Sequence, residues 1–163
     1  MAEFIFGVKA GLADDAVFSA ALGVNVAGKL TSLDSFKVVK LIGDSRYGLA
    51  IDGDSIEGFL IAVEPSTVNN GFGFGSIQCK ENFIVSNAGA GAIAVGALVV
   101  AAAQPAVGTA LATVASGPLT GNRAAPVRAA AGAELTRPFF NWRVTSLLRG
   151  NGGVGTQILI ERI

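Results

Sequence analysis

A mainly β fold is predicted: a compact antiparallel β-sandwich or barrel carrying an N-terminal arm or short helix. Three features of the sequence lead there. Short runs rich in Val, Ile, Phe and Leu recur between clusters of Gly, Asn, Asp and Pro, the punctuation of strands and turns. One run, "FFNWRVTSLL" (139–148), alternates cleanly. Phe140, Trp142, Val144, Ser146 and Leu148 share one face, and Asn141, Arg143 and Thr145 share the other. Finally, 22 glycines, with Val and Pro, interrupt every Ala-rich stretch, which removes long helices. The 163 residues suit a single β domain over 36–163, preceded by the arm or helix at 1–35.

In chain order, "DDAVFSAALG" (14–23) reads as one short helix. Asp14 or Asp15 caps it, Gly23 ends it, and Val17/Ala21 and Phe18/Leu22 pair at i,i+4. An extended arm is the competing reading. "FKVVKLI" (36–42) is a β-branched run ended by Gly43-Asp44. "SIEGFLIAVE" (55–64) and "FGFGSIQCK" (72–80) form a hairpin across the turn signal Asn69-Asn70-Gly71. "ALVVAAA" (97–103) and "GTALATVAS" (108–116) are strands flanking Gln104-Pro105, and "TQILIERI" (156–163) is the last strand. The segment 88–133 holds 18 alanines without a repeat period, so thin side chains there let backbones approach closely.

Hydrophobic residues make up 51% of the chain and charged residues only 15%, against about 25% charged in an average soluble domain. A partner is therefore expected to cover part of the surface. A membrane is not the expected cover. The densest apolar run, Ala88–Ala103, has 16 residues broken by glycines, short of the roughly 20 a spanning helix needs. "MAEFIFGVKAG" lacks a basic n-region, so a secretory signal is not expected, and the single Cys79 suits a reducing cytoplasm.

Charge is uneven. Residues 1–81 hold ten acids and six bases, whereas 82–163 hold two acids and six arginines. Arginine's planar fork favours contact with carboxylates, which makes Arg123, Arg128, Arg137 and Arg143 candidate interface anchors. They are spread singly, without an aromatic ladder, so nucleic acid is not an expected partner.

Two glycine clusters invite a nucleotide reading and fail it. "GNGGVGT" (150–156) lacks the lysine of a phosphate loop, and only a strand-like stretch follows. It reads as a wide hairpin loop between strands 139–148 and 156–163. "GFGFGS" (71–76) likewise has no helix behind it. The chain has no histidine, which removes Ser-His-Asp and Cys-His pairs and the usual zinc ligands. Asp52, Asp54 and Glu57 lie close in sequence, but Gly58 falls at the seventh rather than the sixth position of a calcium loop. No catalytic residue, metal or cofactor is expected.

The runs "DGDSIEGFLIAVEPSTVNNGFGFGSIQ" (52–78), "VGALVVAAAQPAVGTALATV" (95–114) and "NWRVTSLLRGNGGVGTQILIERI" (141–163) together resemble the head decoration, or capsid cement, proteins of tailed bacteriophages. The resemblance implies a small β-rich structural protein, made in the bacterial host cytoplasm and sited on the outer surface of the virion. It implies the major capsid protein and other copies of the chain as partners, a trimer being favoured over a dimer. It further implies an N-terminal arm that joins the clamp, which adds Phe4, Phe6, Val17 and Phe18 to the candidate contacts. The alternative is a phage tail, fibre or baseplate piece, or a carbohydrate-binding β module.

Overall fold

The computed structural model describes residues 17–25, 28–43, 45–64, 73–115, 120–136, 141–148 and 150–163. The fold is mainly β, with two five-stranded sheets each closed on itself. The first barrel contains β1 (Val17–Leu22), β4 (Val38–Gly43), β5 (Arg46–Leu49), β6 (Gly58–Val63) and β7 (Gly73–Gln78), in the order β1-β5-β4-β6-β7. A small ribbon of β2 (Val24–Asn25) and β3 (Gly28–Lys29) follows β1. The second barrel contains β8 (Asn82–Asn87), β9 (Leu98–Ala101), β10 (Ala125–Ala129), β11 (Trp142–Leu147) and β12 (Gln157–Arg162), in the order β10-β8-β12-β11-β9. The compact β barrel expected from the sequence is present, and pairing is mostly antiparallel, with β1–β5 and β8–β10 running parallel.

Residues 17–22 are a strand and not a helix or arm. Phe18, Ala20 and Leu22 turn inward, and Val17 and Ser19 turn out, while β1 pairs with β7 along its whole length. The i,i+4 pair Phe18/Leu22 misled because four is also a multiple of the strand period of two. β1 closes the first barrel, and Leu22 and Leu30 sit in its core, so the described residues between 17 and 35 belong to the fold and the boundary at 35 is not one. Residues 1–16 lie outside the described residues.

The barrels share apolar packing. Inside the first are Leu22, Leu30, Val39, Leu60 and Ile77. Their neighbours Val38 and Phe59 point the other way, into a core continuous with Val85, Val127, Trp142, Val144, Ile158 and Ile160 of the second barrel. Strands β4 and β6 are therefore covered on both faces at Val38-Val39 and Phe59-Leu60, which is why "VV" and "FL" read as runs without alternation. Phe59 stacks on Phe83 at 3.8 Å between centroids and meets Trp142 edge-on at 5.3 Å. The buried Trp142 indole donates to the Ile56 carbonyl at 2.8 Å, so the joint is apolar and its polar group is satisfied.

The hairpin expected from 55–64 and 72–80 is β6–β7, and 139–148 pairs with 156–163 as β11–β12. As expected, Trp142 and Val144 are buried and Arg143 is exposed. Residues 108–115 do not form the expected strand. They run as an extended stretch whose one ladder contact is an isolated bridge from Thr113 to Arg123. No helix among the described residues is long and apolar enough to cross a membrane.

Candidate functional site

The loop 150–156 is packed against the loop after β8. Gly152 has φ 82°, and a Cβ there would collide with the Ile93 carbonyl oxygen. The Gly152 carbonyl accepts from the Ile93 N–H at 2.9 Å and from the buried Asn87 amide at 2.7 Å. Asn87 also donates to the Gly91 carbonyl at 2.9 Å, and its own carbonyl accepts from Gly155 N–H at 2.7 Å. Gly152 thus lets the β11–β12 hairpin lock against the loop after β8 by close approach of backbone to backbone, while Gly150 and Gly155 serve the turn through positive φ.

The acidic residues near 52–57 are shared out to separate donors. Asp54 binds Lys40 at 2.6 Å and accepts from the Ile51 N–H at 2.7 Å. Glu57 accepts from the Leu41 N–H at 3.0 Å. Asp52 takes the Nε of Arg128 at 2.8 Å. Among the described residues, no three His, Cys, Asp or Glu side chains are grouped to hold a metal ion.

Arg128 is engaged inside the molecule. Its guanidinium reaches both oxygens of Glu134, at 2.8 and 2.7 Å, as well as Asp52. The fork joins the turn before β6 in the first barrel to β10 and the turn Gly132–Thr136 beside the second. The hydrogen bonds it donates to Glu134 first and Asp52 second hold its pKa above the usual arginine range. Arg128 is therefore an inter-barrel clamp. Arg143 is exposed on β11 and pairs across the ladder with Glu161 at 2.7 Å. Arg123 is half-buried beside its bridge to Thr113. Val17 is exposed at the start of β1, whereas Phe18 packs on Tyr47 edge-on at 5.6 Å within the first barrel. Phe4, Phe6 and Arg137 lie outside the described residues. The structure does not gather the described candidates into one patch.

Sequence reasoning missed two features. The first is a groove of about 640 Å³ beside the second barrel, lined by Ser86, Gln104, Pro105, Leu111, Thr113 and Pro126 among others. Among the described residues, no charged side chain lines it. Gln104 is committed to the fold, donating to the Ala102 and Pro126 carbonyls at 2.8 and 3.0 Å. The groove therefore offers apolar packing and the hydroxyls of Ser86 and Thr113, which suits a neutral occupant and not an anion.

The second feature is a fully buried ion pair, Asp34–Lys37, at 2.6 Å. Asp34 sits in the turn Ser32–Asp34, where Thr31 and Asp34 form a reciprocal capping box. Its oxygens accept from Thr31 N–H at 2.8 Å, the Thr31 hydroxyl at 3.1 Å and Gly108 N–H at 2.9 Å. Lys37 also donates to the Pro105 and Ala106 carbonyls at 3.0 and 2.8 Å. Burial pushes the Asp34 carboxyl up, but hydrogen bonds from Lys37, Thr31 and Gly108, with the Lys37 charge, outweigh it. The pKa falls below the usual carboxylate value. The "TSLD" capping pattern, with a lysine three residues on, was the available signal.

Large apolar side chains are distributed over both barrels' surfaces: Ile51, Phe74, Val95, Leu135 and Val154 are each more than half exposed. Comparison with protein-family models, with curated proteins and with solved structures gives no match to this chain.

Proposed function

We propose that this chain is a structural virion protein. It binds the outer surface of a phage capsid and stabilises the expanded shell by clamping neighbouring major capsid subunits. The reading starts from the resemblance of residues 52–78, 95–114 and 141–163. The observation that carries it is the exposure of large apolar side chains on both barrels, on a body made stiff by one shared core. Such a body offers contact surface at either end, as a clamp between two subunits requires. Binding only the assembled shell would stabilise it by mass action, and many sites on one lattice would add avidity.

The test adds purified protein to expanded capsids that lack it and to unexpanded proheads. Copies bound and the temperature of DNA release are measured. Saturable binding to expanded shells with a raised release temperature is expected. Binding without a change in that temperature would leave decoration without stabilisation. Failure to bind any capsid form would overturn the reading.

A further inference from the structure

The segment 104–108 leaves the second barrel after β9 and crosses to the first. There Val107 packs against the core formed by Leu22, Leu30, Val39, Leu60 and Ile77. Its backbone is tied down by the buried pair: Gly108 N–H reaches both Asp34 oxygens, at 2.9 and 3.1 Å, and Lys37 holds the Pro105 and Ala106 carbonyls. On its other side, Gln104 and Pro105 line the groove. We propose that 104–108 is a strap closing the first barrel, that Asp34–Lys37 is its acid-labile latch, and that releasing the latch reshapes the groove.

The geometry favours a latch over a general support. Besides the Val107 side chain and the Gln104 Oε1, which accepts from the Val38 N–H at 3.4 Å, the strap meets the first barrel through backbone groups that converge on two charges. Lys37 is the charged side chain in contact with Asp34. The turn contributes the Thr31 N–H and hydroxyl, and the strap contributes the Gly108 N–H. Protonating Asp34 removes the counter-charge of a lysine that is fully buried. A buried cation without its partner is strongly unfavourable, and it regains water only if the strap lifts. The Asp34 pKa is lowered in the fold, so the latch is complete above the ordinary carboxylate value of about 3.9. It is lost as pH falls through the folded value.

Amide hydrogen exchange on the full chain, corrected for intrinsic rate, tests this. In Asp34→Asn at neutral pH, Gly108 N–H should exchange about tenfold faster or more, the loss expected when a charge-assisted bond is weakened. Strand amides of β7 and β12 should hold within about twofold, since opening is local. Wild type titrated stepwise below the ordinary carboxylate range should show the same selective change at Gly108 once Asp34 takes up its proton, and the variant should show no further change. Gly108 accelerating together with the strand amides would mean that the pair supports the whole fold, and would overturn the proposal. An unchanged Gly108 in acid-treated wild type would overturn it equally. If Asp34→Asn does not fold, the wild-type acid series decides alone.

Discussion

Phe59→Ala tests whether the two barrels are one cooperative unit. Phe59 is fully buried on the face of β6 that leaves the first barrel, stacked on Phe83 and edge-on to Trp142 of the second. Truncation removes a buried ring and two aromatic contacts, and the flanking strands are fixed by their ladders, so the cavity collapses poorly. A loss of about 3–5 kcal/mol is expected. At about 2–4 °C per kcal/mol for a chain of this size, the melting temperature should fall by about 6–20 °C. The sequence supplies one probe on each side of the joint. The sole tyrosine, Tyr47, is in the first barrel, and the sole tryptophan, Trp142, is in the second. Melting followed by Tyr47 second-derivative absorbance and by Trp142 fluorescence should give coincident midpoints in the wild type. Both midpoints should fall together in the variant. A Trp142 transition that shifts while the Tyr47 transition stays in place would show two independent barrels and refute the shared-core argument.

Three further outcomes follow from the same geometry. Arg128→Ala should cost about 1–2 kcal/mol by urea denaturation, with the deficit shrinking in high salt because the fork is partly exposed; an unchanged midpoint would remove the clamp. Gly152→Ala should cost at least about 1–3 kcal/mol from positive φ and the collision with Ile93. Gly155→Ala has positive φ but open space around it, so it should cost about 1–2 kcal/mol, and equal losses at the two sites would contradict the packing role of Gly152. Arg143→Ala should change stability by less than about 0.5 kcal/mol, since its pair with Glu161 is exposed, while weakening capsid attachment measured by co-sedimentation.

What could be read from the sequence followed how each strand is covered. β11 alternates through Val144 because one face meets the core and the other meets solvent, so Arg143 pointing outward was legible, whereas the register shift after Val144, beyond which Leu147 packs on the core, was not. The first residues of β4 and β6 are sandwiched between two cores, so "VV" and "GFL" gave the strands but not the second barrel they touch. β10, with its thin Ala125 and Ala129 and an internal Pro126, and β5, at four residues, are too weak in β propensity to announce themselves. Residues 108–115 erred the other way: "TALATV" has strand-like spacing. Yet Val107 docks in the first barrel, and Gly108 turns with φ 77° to hand its N–H to Asp34. Tertiary contact 74 residues away decided that segment, and no local pattern encodes it. The groove shares this origin. Its walls come from β8, β10 and the stretch after β9, brought together by barrel closure, and their neutral residues carry no chemical signature in the sequence. The arginines were legible as charges, but their tasks were not. Arg128 becomes a clamp because β10 brings it within reach of a turn 76 residues away, whereas Arg143, on β11 with β9 between, stays on the surface in an exposed pair with Glu161.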